Sequence, residues 1–279
     1  MRDDSDRPPA ETPSPPARVE PVPGEPAATA AIEGESALLV ADYHAGYEAG
    51  LRSERGVDVP SRAPDRRERL LALLERTDPD RLVVLGDLMH SIGDPGGAER
   101  GELEVLFESF SDDLEVTVVK GNHDGRIETW LADGNDIGAT VTVVPGEGIA
   151  LGDIGVCHGH TWPSRAVLES EVVCLGHEHP CVRLEDEVGG SRVERAWLRG
   201  RLDPGPFRDR PEYEEVSWLE AADETPPRAV VVPAFNDLVG GTWINVSGQS
   251  FLSPFLPAGL ASGEAYLLDG TRLGPYESI

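Results

Sequence analysis

Ala37-Leu38-Leu39-Val40-Ala41-Asp42-Tyr43-His44 opens the part of the chain on which the fold turns. Five apolar residues bounded by polar ones read as a buried strand, and Arg81-Leu82-Val83-Val84-Leu85 followed by Gly86-Asp87 repeats the pattern. Between them, residues 64–76 place Pro64 at a first helical position, Asp65 in the first turn and a leucine stripe at Leu70, Leu71, Leu73 and Leu74. The unit is strand, helix, strand. Working outward, a helix fits residues 98–110, a strand 114–120 and a short helix 126–132, so the order to that point is βαβαβα. After residue 139 strands dominate, at 140–144, 149–157, 171–175 and 181–184, with one helix near 164–170. Residues 229–234, 243–246 and 265–268 read as closing strands.

Two segments break the pattern. Residues 1–35 hold eight prolines and eight acids with almost no large apolar side chain, which predicts a disordered tail ahead of a single domain at 36–279. Residues 203–228 mix five prolines with many charges and read as a surface insertion carrying little core.

Of the 279 residues, 51 are acidic and 24 basic, a net charge of −27, and Lys120 is the single lysine. Residues 36–279 alone carry 43 acids against 21 basic residues, so the acidity belongs to the folded part. Such a composition resembles that of halophilic proteins, in which self-repulsion opposes compaction at low salt. At about 1 M salt the Debye length is about 3 Å, and a polyanionic substrate is not repelled at a distance. The acidity therefore does not exclude nucleic acid. No apolar run approaches the length of a membrane helix and no signal peptide is visible, so a cytoplasmic protein is expected. Three cysteines, Cys157, Cys174 and Cys181, fit buried free thiols rather than a disulfide framework.

Six of the seven histidines fall in four motifs: Asp42-Tyr43-His44, Gly121-Asn122-His123-Asp124, His158-Gly159-His160 and Gly176-His177-Glu178-His179. Each follows a predicted strand, as does Gly86-Asp87, and in open αβ sheets the C-terminal strand edge is where sites form. Strand periodicity of two puts Asp42 with His44, and His177 with His179, on one side. Asp42, His44, Asp87, Asn122, His158, His177 and His179 offer more mixed nitrogen and oxygen ligands than one tetrahedral ion uses, and enough for two ions sharing a bridging carboxylate. Two divalent ions, two carboxylates and a bridging hydroxide leave a net charge of about +1, which favours an anionic, phosphate-bearing substrate.

The ordered series D-x-H, G-D, G-N-H-D, H-G-H, G-H-x-H resembles the calcineurin-like metallophosphoesterase superfamily over residues 37–180. Gly86-Asp87-Leu88-Met89-His90, Gly176-His177-Glu178-His179-Pro180 and the late stretch 231–242 look like the archaeal and bacterial DNA-ligase-associated phosphoesterase group. The resemblance implies an α/β four-layer αββα sandwich, with two mixed sheets flanked by helices. It implies one metal on Asp42, His44, Asp87 and His179, and a second on Asp87, Asn122, His158 and His177. The ions would most readily be Mn²⁺, with Fe, Co, Ni or Zn compatible. His123 would protonate the leaving oxygen, Asp124 would fix its tautomer and raise its pKa, His160 would line the site, and metal-bound hydroxide would be the nucleophile. His90 reads as a substrate-side residue or a loop histidine, and Arg126 as a phosphate clamp or a solvated helix-start residue. The function implied is a dinuclear phosphoesterase, preferentially a phosphodiesterase, with a nuclease linked to DNA repair as its most specific form. A phosphomonoesterase or small-nucleotide hydrolase and a non-catalytic partner of DNA-repair proteins are the alternatives. A repair partner rests on analogy alone, and the sequence leaves the oligomeric state open.

Overall fold

The structure is a computed structural model that describes residues 19–93, 95–132, 138–186, 188–221 and 224–279. The first half contains β1 (Val19–Pro21), β2 (Ala27–Ile32), β3 (Glu35–Val40), α1 (Tyr47–Arg55), α2 (Ala63–Thr77), β4 (Arg81–Val84), α3 (Gly97–Glu108), β5 (Glu115–Val119), α4 (Ile127–Ala132) and β6 (Thr140–Val144). The second half contains β7 (Ile149–Leu151), β8 (Ile154–Cys157), α5 (Arg165–Leu168), β9 (Val172–Leu175), β10 (Cys181–Glu185), β11 (Ser191–Leu202), α6 (Gly205–Arg208), β12 (Arg228–Val231), β13 (Leu260–Leu267) and β14 (Arg272–Pro275).

Strands β1 to β6 form one sheet in sequence order; β3, β4, β5 and β6 run parallel, and the β1–β2–β3 edge is antiparallel. The second sheet runs β14-β13-β11-β12-β9-β8-β7, with β10 paired to β11. Period-two alternation distributes the apolar side chains over three layers of core. Leu38, Val40, Leu82, Val84, Val116 and Val118 face outward onto Leu70, Leu73, Phe107 and Trp130 of the helices. Leu39, Val83 and Val119 face inward onto Val156, Cys174, Trp197 and Val230 of the other sheet. Val173, Leu175, Leu198 and Val231 face outward again, beneath Leu168, Phe207 and Trp218. The result is the four-layer αββα sandwich, with a sparser outer layer on the second sheet, where helices α5 and α6 have four residues each.

Several expectations are corrected. Residues 19–35 do not belong to a tail: β1 and β2 pair through a turn at Gly24 and extend the first sheet, with Ala27, Ala28 and Ala30 buried in its core. Residues 1–18, the rest of that segment, lie outside the described residues. The 203–228 segment is not a bare surface loop: Phe207, Tyr213, Val216, Trp218 and Leu219 are buried and cover the second sheet. Residues 243–246 form no strand; Trp243 makes an isolated bridge with Cys181. The run 149–157 is two antiparallel strands hinged at Gly152-Asp153.

One buried ionic cluster ties the helices to the sheet edge. Arg66 of α2 reaches Glu48 of α1 at 3.2 Å and Glu102 of α3 at 2.6 Å, and Glu102 also accepts the Gly46 N–H at 2.8 Å. All three side chains are buried, so each charge needs the others. The clamp anchors the segment just after His44. The three cysteines are buried free thiols, and among the described residues no helix is long and apolar enough to cross a membrane.

Candidate metal centre

The candidate ligands sit on the loops that leave the C-terminal ends of β3, β4, β5, β8 and β9. They converge by a route other than strand alternation. Asp42, His44, Asp87, His177 and His179 all have positive φ, between 43° and 67°, and they account for five of the seven non-glycine residues in that region among those described. A left-handed conformation costs a non-glycine residue about 1 kcal/mol or more, and such strain collects at functional sites. It turns each strand end sharply, so that alternate side chains point into one volume. Two glycines make room: a Cβ on Gly86 would strike the His158 ring, and one on Gly121 would strike the Asp87 carboxylate.

Two ligand groups result, each with its donor atoms within 4.8 Å of one another: Asp42 with His44 and His179, and Asp87 with His158 and His177. Asp87 joins them. Its Oδ2 lies 3.4 Å from His158 Nε2 and 3.7 Å from His44 Nε2. Asp42 Oδ1 is 3.2 Å from His179 Nε2. Asn122 Oδ1 approaches His158 Nε2 at 3.3 Å, which places it beside the second group. His90, His44 and His123 make a third group, with the rings of His90 and His123 stacked at 5.4 Å. His160 lies 5.2 Å from the His158 ring and 6.0 Å from that of His177. Arg126 is exposed, one residue ahead of α4.

Backbone carbonyls orient the imidazoles. Nδ1 of His158 bonds Leu85 O at 2.7 Å, Nδ1 of His179 bonds Gly240 O at 2.8 Å, and Nδ1 of His123 bonds His90 O. With Nδ1–H donated outward, each Nε2 is turned towards the centre, the arrangement that prepares a histidine for a metal. Both ring nitrogens of His44 are buried without a hydrogen-bond partner, an expensive state for two polar atoms unless a cation is bound. The electrostatics agree. Burial alone would raise the Asp87 pKa, but the hydrogen bond and charge of His158, with His44 and His123, pull it well below the carboxylate range. Burial opposes protonation of His158, yet Asp87 and Asp42 push it up to about 9, so the two carboxylates demand positive charge at the centre. Burial takes His44 down to about 3 and His177 to about 4, which leaves them as neutral donors. A mixed set of neutral imidazoles and ionised carboxylates suits divalent transition ions.

Asp124 does not touch the His123 ring. Its buried carboxylate accepts the backbone N–H groups of Met89 at 2.8 Å, Gly121 at 2.8 Å and Leu88 at 3.3 Å. It staples the G-D and G-N-H-D loops together, and the His90 carbonyl takes the orienting part expected of it. Burial, with the charge of Asp87, raises Asp124 to about 6. Asp124→Asn is therefore expected to lower stability by about 1–3 kcal/mol, since an amide leaves buried donors unpaired. Denaturant unfolding beside a pH profile of turnover checks this. A displaced profile at unchanged stability would return the carboxylate to the imidazole.

Sequence reading missed three supports. Glu178, between two candidate ligands, accepts from Ser253 N at 2.6 Å, Leu252 N at 3.1 Å and Thr242 Oγ1 at 3.0 Å, fixing the 242–253 loop beneath the site. Glu99 of α3 accepts the His90 and Ser91 N–H groups at 2.6 and 3.0 Å. Asn236 donates to Tyr43 O at 3.2 Å and holds the D-x-H loop. The Asn236-to-Thr242 stretch, which also supplies the Gly240 carbonyl, was visible as a motif but carried no assignable role.

Residues 36–199, more than half of the chain, match the calcineurin-like phosphoesterase family, and the chain belongs to it. It is a hydrolase acting on phosphoester bonds. Among solved structures it is similar to the Pseudomonas putida nuclease MPE, at 18% identity and a TM-score of 0.50, over 91% of this chain and 100% of that one. That likeness shows the shared fold. Yfce, a phosphoesterase from E. coli, is 19% identical with a TM-score of 0.33, over 54% of this chain and 73% of that one. No curated protein matches the sequence.

Proposed function

We propose that the protein is a phosphodiesterase acting on nucleic acid with two divalent cations. The observation that carries this is the pair of ligand groups meeting at Asp87 around the unpartnered ring of His44. In this reading Asp42, His44, Asp87 and His179 hold one ion, and Asp87, Asn122, His158 and His177 hold the other, with Mn²⁺ suited to the donor set. When bound, the ions polarise phosphoryl oxygens and lower the pKa of water.

The chain's own residues supply the rest. Asp87 Oδ1 accepts the backbone N–H of His123 at 3.0 Å, and His123 Nε2 stands 4.0 Å from Asp87 Oδ2, at the edge of the centre. Because Nδ1–H is committed to the His90 carbonyl, Nε2 carries a proton only in the imidazolium form. That proton is the one delivered to the leaving oxygen. His90, stacked on His123, and His160, 5.2 Å from the His158 ring, flank the site, where they would meet the surroundings of a bound phosphate. The similar Pseudomonas putida protein is described as a nuclease, which supports a polymeric diester.

Turnover of bis-nitrophenyl phosphate against mononitrophenyl phosphate, in molar KCl with Mn²⁺, tests the reading. Two ions per chain by mass spectrometry and faster diester turnover are expected. Preference for the monoester would move the substrate to nucleotides or other monoesters.

A further inference from the structure

A cleft of about 690 Å³ opens beside β11, β12 and β13, lined in part by Arg199, Arg201, Arg228, Glu264 and Tyr266. It lies at the opposite end of the sheet from the metal centre. Strands β9 and β12 are parallel and carry their C-terminal ends towards His177 and Asn236, whereas Arg228 begins β12.

In this acidic chain arginines such as Arg52, Arg66, Arg81 and Arg272 pair with carboxylates. Among the described residues, Arg199, Arg201 and Arg228 do not. Arg201 and Arg228 are direct cross-strand partners, a like-charge juxtaposition that destabilises an antiparallel pair. Arg199, two residues along β11, shares the face of Arg201. Its own cross-strand neighbour is Glu264, but that carboxylate is taken by Arg272, at 2.9 Å from its Nε, and by the Tyr266 hydroxyl at 2.6 Å. Arg201 donates to Pro226 O at 2.8 Å; Arg199 reaches Val19 O at 3.5 Å and lies 6.0 Å from the Tyr266 ring centre. Arg199 and Arg228 are half-buried, so their charge is only partly hydrated.

We propose that this cleft is a second phosphate-binding site, which takes a phosphate dianion or the terminal phosphoryl group of a mononucleotide. Guanidinium forks bind such oxyanions with two parallel hydrogen bonds each, and a bound dianion removes the repulsion between Arg201 and Arg228. The volume falls within the range of small-molecule sites. The inference is independent of what the metal centre hydrolyses.

Equilibrium dialysis of the metal-loaded protein against radiolabelled inorganic phosphate in molar KCl tests it. Two phosphates per chain are expected for the wild type, one at each end of the sandwich. Arg201→Gln/Arg228→Gln should bind one while keeping its metal and its turnover, and Arg228→Gln alone serves should the double variant not fold. Asp87→Asn should retain the phosphate of the arginine cleft. A wild-type phosphate that the double variant keeps in full, or no bound phosphate in Asp87→Asn, overturns the proposal. Adding the non-hydrolysable adenosine 5′-(α,β-methylene)diphosphate to Asp87→Asn separates the sources: displacement of phosphate assigns the cleft to nucleotides, and retention assigns it to free phosphate.

Discussion

Asp87→Asn is expected to reduce turnover of bis-nitrophenyl phosphate by about 10²–10³-fold, the scale reached when a positioned electrostatic group is removed. It is also expected to take the metal content from two ions to one or none. The carboxylate stands between the two ligand groups, with His158 and His44 Nε2 atoms at 3.4 and 3.7 Å from the same oxygen. Asparagine keeps the shape, and one oxygen remains for the backbone N–H of His123, so the fold has little reason to change. What disappears is one negative charge at a point where the surrounding imidazoles had drawn the carboxyl far below its ordinary pKa. The amide nitrogen, turned towards His44 and His158, offers no lone pair to a cation. Mass spectrometry of the purified variant beside a rate measurement is decisive, because unchanged metal content with unchanged turnover would remove Asp87 from the centre altogether.

Most of this centre was legible in the sequence because each ligand lies within four residues of an apolar strand that ends abruptly. The polar residue types at those ends name the chemistry before any geometry is known. The manner of convergence was not legible. Positive φ at Asp42, His44, Asp87, His177 and His179 is a tertiary imposition on residues whose own preference is for other conformations; alternation along a strand groups Asp42 with His44 as the structure does, but it also pairs His177 with His179, which the structure assigns to different ligand groups. Asp124 misled for a related cause: adjacency to His123 suggests contact, but the tight turn points the two side chains apart and leaves the carboxyl facing three backbone amides. At the chain's start, Ala27-Ala28-Thr29-Ala30-Ala31-Ile32 carries too little hydrophobic bulk to stand out among prolines. It becomes a strand because β3 offers it an unpaired edge. The 203–228 segment hides its core in single residues, Phe207, Tyr213, Val216 and Trp218, spaced by turns rather than by any helix or strand period.

His123→Ala is expected to lower kcat by about 10²–10⁴-fold, the range for loss of a positioned general acid, while two ions remain bound. The size should depend on the leaving group. Nitrophenolate departs without a proton, so bis-nitrophenyl phosphate should report the low end. A dinucleotide, whose leaving oxygen is an alkoxide, should report the high end. This contrast follows from where the proton sits: with Nδ1–H held by the His90 carbonyl, only Nε2 of the imidazolium faces the centre, 4.0 Å from Asp87 Oδ2. His90→Ala supplies the control, since it removes the stacked ring but leaves the carbonyl that orients His123, and should retain the leaving-group dependence of the wild type. An equal loss on both substrates in His123→Ala would assign that imidazole to phosphate binding instead, and an unimpaired enzyme would exclude it from the reaction. Either measurement separates proton delivery from the metal centre, because the ions are counted in the same samples.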